Sequence, residues 1–221
     1  MKLSKPTVAL LKNFSAINGN LVIKPGNVLS TISAAKSIYA QATVPETFPL
    51  QFGIYDLNQF IVVLSLFEDP SIEFGEKFAI ISEGNRKVKY FCADTEVLTY
   101  PVKEIKSPNA DVEFFLSTDD LQMIMKTSSA LGAGDVSFVG NNGVVTVVIT
   151  DRKNSAANSF ANQLGQVQGG GLDTFTANLK TENLKFVPGD YTVEISSKRA
   201  AIFTSGDVSY MVAMESDSTF G

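Results

Sequence analysis

The side chains best placed for chemistry are lysine ammonium groups on one face of a predicted N-terminal helix. Lys2, Lys5 and Lys12 lie within the first eighteen residues, where no Asp or Glu occurs. At about 100° per residue, Lys5 and Lys12 share a helix face with two small residues, Ala9 and Ala16. Because the alanines leave the ammonium groups unobstructed, a large anionic surface could approach closely. The alternative interpretation is an ordinary solvated helix face.

This basic helix face stands on a chain whose net charge is acidic. The opposite face of the same helix is apolar and is expected to contact a core; it carries Leu10, Leu11, Phe14 and Ile17. The full chain of 221 residues has a formal net charge of -5. An acidic chain argues against a protein that coats nucleic acid with its whole surface. It remains compatible with one basic face on an acidic body, which would attract phosphates there and repel them elsewhere.

Residue types that most catalytic and metal sites need are missing or poorly placed. The sequence has no His, which excludes His-dependent triads and histidine metal sites. Its single cysteine, Cys92, has no His to activate it and cannot form an intrachain disulfide. The carboxylate pairs Glu68-Asp69 and Asp119-Asp120 fall at a predicted turn and a predicted helix cap. We therefore expect a protein that is not an enzyme and that uses no metal and no cofactor.

Composition indicates a folded protein without a membrane partner. Hydrophobic residues make up 44% of the chain and charged residues 19%, enough to bury a sizeable core. No apolar stretch approaches the ~18 residues that a membrane span needs. The N-terminal segment lacks the apolar core of a signal peptide. These features predict a soluble intracellular protein.

Four helices are predicted to position these side chains. The first begins at the N-cap Ser4 and ends near residues 18–19, and the second begins at the capping residue Asp56. The third follows residues 117–120, where Ser117 and Asp120 have the spacing of a capping box. The fourth is short and spans residues 179–187, before Pro188.

Strand-like segments separate these helices and repeat in the same order. They cover residues 21–23, 28–32, 38–44, 48–54, 78–81, 87–91, 112–116, 136–139, 144–150, the surroundings of Phe175, 191–195, 201–204 and 210–214. Helix, strands, helix and strands occur twice, which predicts a duplicated α+β unit with domains 1–107 and 108–221. Residues 163–171 are interpreted as a flexible surface loop, because no GK[ST] follows their glycines to make a phosphate site.

Four segments of the sequence resemble the sliding clamps of T-even-type bacteriophages, which are DNA polymerase processivity factors. They are MKLSKPTVALLKNFSAIN at the N-terminus, FGIYDLNQFIVVLSLF at 52–67, DDLQMIMKTSSAL at 119–131, and PGDYTVEISS with YMVAMESDSTF between 188 and 220. The match keeps the same order through both halves and reaches both termini. It is therefore more specific than any single motif.

The resemblance implies a head-to-tail homotrimeric ring around duplex DNA. Each subunit would contribute two similar domains, with helices lining the hole and antiparallel sheets forming the outer wall. The expected partners are duplex DNA without sequence preference, the replicative DNA polymerase, an ATP-dependent clamp loader and further copies of the chain. The expected location is the cytoplasm of the infected bacterial cell.

Two groups of residues follow as expected sites. The resemblance assigns the DNA-facing surface to six lysines: Lys2, Lys5, Lys12, Lys126, Lys180 and Lys185. The third helix of the family usually presents several basic residues, whereas here Lys126 stands nearly alone. A pocket for the C-terminal peptide of a partner is assigned to Val97, Leu98, Tyr100, Val102, Tyr210, Val212 and Met214. Ordinary surface charge is the alternative for Lys180 and Lys185, and core packing is the alternative for residues 210–214.

A different class of protein remains open from the residues alone. A virion structural or assembly subunit built of α+β domains would also be acidic, histidine-poor and oligomeric. The lysine-only first helix favours the clamp, because a shell subunit has no need to gather cations on one small-residue face.

Overall fold

The computed structural model describes residues 1–172 and 174–221 of the chain. These residues divide into two compact units, Met1–Ile105 and Lys106–Gly221. Both units combine helix with antiparallel strands, so the predicted α+β class is confirmed.

The first unit contains two α-helices and seven strands. The helices are α1 (Lys5–Ile17) and α2 (Leu57–Leu64), and the strands are β1 (Leu21–Ile23), β2 (Gly26–Ile32), β3 (Ile38–Phe48), β4 (Phe52–Ile54), β5 (Ser71–Phe74), β6 (Phe78–Glu83) and β7 (Arg86–Phe91). β1 pairs with β4, β2 pairs with β3, and β5, β6 and β7 form a three-stranded sheet with β7 at one edge. A 3-10 turn at Thr95–Val97 follows β7.

Local capping fixes where the two helices of this unit begin. The Ser4 hydroxyl accepts a hydrogen bond from the Thr7 N–H at 3.3 Å, and the Asp56 carboxylate accepts one from the Gln59 N–H at 3.0 Å. Each bond satisfies an N–H that has no partner within its own helix. The apolar side of α1 is buried and α1 packs against α2, so both predicted helices are confirmed.

The second unit contains one α-helix among its described residues. That helix is α3 (Thr118–Leu131), and the strands are β8 (Val112–Leu116), β9 (Asp135–Asn141), β10 (Val144–Thr150), β11 (Phe160–Gln166), β12 (Gly169–Gly170), β13 (Thr174–Lys180), β14 (Tyr191–Ser196), β15 (Ala200–Ser205), β16 (Val208–Ala213) and β17 (Thr219–Phe220). One sheet has the order β11-β10-β9-β13-β17, with β11 at an edge, and β12, β8, β14, β15 and β16 pair in that order. All these pairings are antiparallel.

The third predicted helix is also confirmed, and its two ends show why it forms. The Ser117 hydroxyl accepts from the Asp120 N–H at 3.1 Å and donates to the Asp120 carboxylate at 2.5 Å. At the other end Gly132 adopts a left-handed conformation with φ of 62°, and its N–H bonds to the last turn. A glycine takes this conformation without the steric cost of a Cβ atom.

The predicted fourth helix at 179–187 is wrong. Leu179 and Lys180 end β13, and only Thr181–Asn183 form a short 3-10 turn. Tertiary contacts hold the rest in an irregular path: the Val187 carbonyl accepts from the Tyr191 hydroxyl at 2.5 Å, and the Val187 N–H donates to the Tyr210 hydroxyl at 3.1 Å. The bond to Tyr210 joins residues 23 apart and the bond from Tyr191 joins residues four apart, and both use side-chain hydroxyls in place of the backbone partners of a helix.

Two further segments differ from the sequence-based expectation. Residues 163–171 are not a loop throughout, because β11 runs to residue 166 and pairs with β10. The strand β5 was not expected, and it pairs with β6. In both cases the neighbouring strand supplies the backbone hydrogen bonds, so the segment becomes a strand without a strongly alternating sequence.

Candidate nucleic-acid interface

The α1 helix presents the lysine face as an exposed surface. Lys5, Ala9, Lys12 and Ala16 are all exposed, whereas Leu11 and Phe14 on the opposite side are completely buried. We name the exposed set, together with Lys2, the lysine face. On the helix itself the residues that share this face with Lys5 and Lys12 are Ala9 and Ala16, whose small methyl groups leave room for a broad polyanion. Such a surface can attract phosphates without reading a base sequence.

Lys2 lies just before α1 and is not isolated. Its Nζ makes an ion pair with the Asp69 carboxylate, and both side chains are well exposed, at 58% and 67%. Exposed pairs of this kind contribute only about 0–1 kcal/mol and are weakened by salt. Lys2 can therefore exchange Asp69 for another anion at little cost.

Beside the lysine face lies a groove of about 420 Å³ in the first unit. Lys5 and Lys12 line it together with Glu68 and Asp69. Apolar side chains complete the lining, among them Val8, Ile61, Leu64 and Ile72. The placement of these two carboxylates beside the lysines is a feature that the sequence analysis missed, since it had read them only as a turn.

The three remaining lysines occupy different surroundings in the second unit. Lys126 is exposed on α3, and Lys185 is exposed in the irregular segment after the 3-10 turn. Lys180 is instead only partly exposed, because its Nζ bonds to the buried carboxylate of Asp135. That hydrogen bond is the main reason why the pKa of Lys180 lies above its usual value. Lys180 is therefore not the ordinary surface charge of the alternative interpretation, because it pairs with a buried carboxylate, and its assignment to the DNA-facing surface stays a prediction.

Asp135 is the centre of a charged cluster that the sequence analysis did not find. Its side chain is only 4% exposed, and it accepts hydrogen bonds from Lys180 and from the Arg152 N–H at 3.1 Å. Burial opposes ionisation of this carboxyl, but the bonds and charges of Lys180 and Arg152 outweigh it, so the pKa of Asp135 is lowered. Arg152 also bonds to Asp217 at 2.5 Å, which ties the C-terminal segment to this cluster.

The first-unit residues of the expected peptide pocket differ in exposure. Val97 and Val102 are exposed at 66% and 70%, whereas Leu98 is buried. The Lys24 Nζ fixes this segment by donating to the carbonyls of Pro101 and Val102 at 2.9 and 3.2 Å. It also lies 5.8 Å from the ring centre of Tyr100. Two solvent-facing valines on a fixed segment are available to a partner.

The second-unit residues of that pocket lie in a core. Tyr210 and Val212 expose no surface and Met214 is nearly buried. Tyr210 stacks 4.6 Å from Phe186, and burial raises the pKa of Tyr210 to about 12. These contacts support the core-packing alternative for residues 210–214. The pocket assignment as a whole stays a prediction.

Neither a metal centre nor a membrane-spanning helix is found in the part of the chain that the structure describes. No group of three or more Cys, Asp or Glu side chains there is arranged to hold an ion. No helix in residues 1–172 and 174–221 is long and apolar enough to cross a bilayer. Cys92 is half-buried, and its Sγ accepts a hydrogen bond from the Gly53 N–H at 3.2 Å.

Comparison with known proteins places both halves of the chain in one family. A family model described as DNA polymerase processivity factor matches residues 2–86, and one described as gp45 sliding clamp, C terminal, matches residues 113–216. The sliding clamp of Vibrio phage KVP40 is 31% identical over 97% of this chain and 99% of its own length. The sliding clamp of Enterobacteria phage T4 is 31% identical over 99% of both chains.

Solved structures agree on the fold. The PCNA of A. fulgidus, determined with the C-terminal region of FEN-1, covers 99% of this chain and 100% of its own with a TM-score of 0.73. Because the two sequences are only 10% identical, this similarity supports a shared fold and nothing more. Together with the full-length phage relatives, this agreement shows that the chain belongs to the sliding clamp family of DNA polymerase processivity factors.

Proposed function

We propose that three copies of this chain close into a ring around duplex DNA and tether the replicative DNA polymerase to its template. The observation that carries this proposal is the exposed lysine face of α1 in a chain related over its full length to phage sliding clamps. Residues 1–107 and 108–221 act as the two clamp domains of each subunit. The helices face the DNA and the sheets form the outer wall.

The proposed ring holds DNA by enclosure and by weak, non-directional attraction. Lysine ammonium groups neutralise phosphates without fixing a position on the duplex, which suits a protein that must slide. In this proposal the chain is not an enzyme, because the polymerase performs the chemistry and an ATP-dependent clamp loader opens the ring. The setting is the cytoplasm of the infected bacterial cell.

Edge strands in each unit support a head-to-tail subunit contact. β7 is an edge strand of the three-stranded sheet in the first unit, and β11 is an edge strand of the five-stranded sheet in the second. Edge strands present backbone N–H and C=O groups that can pair with another chain. Two unlike edges per chain allow a heterologous contact, which closes into a ring when the rotation per subunit permits.

Light scattering over a dilution series tests the ring. A closed trimer has a mass of about 71 kDa, three times the 23.8 kDa of one chain, and keeps it across the series. A strictly monomeric species at micromolar concentration contradicts the proposal. So does a mass that grows without limit as concentration rises, because this indicates an open polymer.

Charge reversal tests the lysine face. Replacing Lys5 and Lys12 by Glu places six reversed charges in a trimer and leaves the buried side of α1 untouched. Exposed substitutions usually change stability by only about 0.5 kcal/mol, so folding and assembly should persist. We expect shorter polymerase products in loader-dependent synthesis, with the largest defect at low salt.

A matched control variant separates the effect of where the charges lie from the effect of the net charge. Lys36 and Lys77 are exposed in the first unit and outside the lysine face, so the double variant Lys36→Glu, Lys77→Glu carries the same charge change. We expect it to support products of wild-type length. Equal product lengths for the two double variants at every salt concentration would show that Lys5 and Lys12 only solvate a surface.

Partner binding should depend on exposed apolar residues and not on the lysine face. We propose that Val97 and Val102 belong to the polymerase contact, and that Val97→Ser with Val102→Ser weakens polymerase binding in a pull-down while the ring mass is unchanged. Lys12→Ala is the comparison and should bind polymerase normally. If the valine variant binds polymerase as wild type does, Val97 and Val102 are not part of the polymerase contact.

A further inference from the structure

We infer that the carboxylates of Glu68 and Asp69 act as a built-in counter-charge that competes with DNA phosphates for the lysine face and so limits how tightly the protein holds a duplex. We name these two residues the acidic lip. This inference rests on the proposed function, because it assigns a regulatory role to a surface beside the proposed DNA-facing lysines.

The acidic lip is placed within reach of the lysine face. Glu68 and Asp69 line the same groove as Lys5 and Lys12. Asp69 also makes the ion pair with Lys2 described above. The groove lining brings together two lysines and two carboxylates, and the ion pair adds Lys2, so the formal side-chain charge of this set is +1, whereas the three lysines alone would carry +3. A phosphate that approaches must displace or oppose these carboxylates.

Hydrogen bonds hold the lip in this position. The backbone N–H groups of Glu68 and Asp69 both donate to Oε1 of Glu83, at 3.1 and 2.7 Å. Glu83 in turn pairs with Arg86 at 2.5 Å. The bond from the Asp69 N–H, with help from Arg86, lowers the pKa of Glu83 and keeps this anchor ionised at neutral pH. The lip is thus fixed through its backbone while its side chains stay exposed.

The N-terminal residues are held against the same segment. Met1 and Ile72 exchange two backbone hydrogen bonds, each of 2.7 Å. This pairing places Lys2 next to Asp69, where their ion pair forms. Because the pair is exposed and weak, a phosphate can replace Asp69 as the partner of Lys2. The lip is therefore suited to weakening the grip on DNA and not to blocking it.

Neutralising the lip should tighten binding. We compare wild type with the isosteric double variant Glu68→Gln, Asp69→Asn, using fluorescence anisotropy of the purified protein on a short linear duplex. We expect binding about 3- to 10-fold tighter at ~50 mM salt, because each subunit loses two carboxylates beside its lysines. The gain should shrink toward 200 mM salt. Diffusion of the loaded protein along DNA, followed by single-molecule tracking, should become slower.

Two further variants make the test specific. Glu73 and Glu76 are exposed in the first unit and do not line the groove, so Glu73→Gln with Glu76→Gln carries the same charge change. It should leave affinity within about twofold of wild type, since distant exposed charges are largely screened. Adding Lys2→Gln to the lip variant should remove part of its gain, because Lys2 is the lysine that Asp69 pairs with. Unchanged thermal midpoints verify that all variants are folded.

The outcomes separate this inference from the proposed function. Equal tightening by the lip variant and the Glu73, Glu76 control would attribute the effect to net charge and overturn the inference. No tightening by the lip variant, with binding lost in Lys5→Glu, Lys12→Glu, overturns the inference and leaves the lysine face in place. If reversing the charges of Lys5 and Lys12 also has no effect on duplex binding, the assignment of the lysine face to DNA is wrong.

Discussion

The carboxylate of Asp135 should stabilise the second unit in a pH-dependent way, and Asp135→Asn tests this. The side chain is 4% exposed and is bonded by Lys180 and Arg152. Removing one partner of a buried ion pair costs about 3–5 kcal/mol. Lys180 and Arg152 are 26% and 19% exposed and can regain water, and Arg152 keeps Asp217. We therefore expect a loss of about 2–3 kcal/mol at pH 7.

The sign of the pH dependence follows from the lowered pKa of Asp135. A carboxyl that is more acidic in the folded state stabilises the fold above its unfolded pKa of about 3.9, and this contribution is lost as the pH falls through the folded value. The difference between wild type and Asp135→Asn should be constant from pH 7 to about pH 5 and should shrink below pH 4.

Urea and thermal unfolding at several pH values measure this difference. For a chain of this length, 2–3 kcal/mol corresponds to a fall in the thermal midpoint of about 5–10 °C. Asp207→Asn is the control, because Asp207 lies exposed in the turn between β15 and β16 and should change stability by less than about 0.5 kcal/mol. Equal midpoints for the two variants, or a deficit that persists unchanged at acidic pH, would refute the proposed role of the cluster.

Three further changes test single interactions. Lys180→Met should lower the free energy of unfolding by about 1–2 kcal/mol, because Asp135 loses its ammonium partner. It should affect duplex binding, measured by anisotropy, less than Lys126→Met does; the reverse order would make Lys180 a DNA contact. Ser4→Ala removes the cap of α1 and should cost about 1 kcal/mol in urea unfolding, and no loss would show that the cap is dispensable. Gly53→Ala should cost about 2–3 kcal/mol in the same assay, because a Cβ atom there would lie 2.3 Å from the carbonyl oxygen of Ala93. A stable Gly53→Ala protein would contradict this close approach.

The sequence by itself determined the features that depend on neighbouring residues. The two-sided α1 helix follows from the 3.6-residue period and from the cap at Ser4, both of which act within a few residues. The cap at Ser117 likewise located α3. The strands with clear alternation were predicted for the same reason, and the family resemblance came from contiguous segments that match in order.

The tertiary structure alone decided the features that join distant parts of the chain. Residues 179–187 were predicted as a helix, but the bond from the Val187 N–H to the Tyr210 hydroxyl, 23 residues away, helps to fix another path. Asp135, Arg152 and Asp217 become a cluster only through the folding of the second unit. The pairing of Lys2 with an acid 67 residues away is likewise invisible to local patterns. Side-chain periodicity indicates which face of an element is buried, whereas long-range packing decides which charges meet and which apolar residues stay exposed.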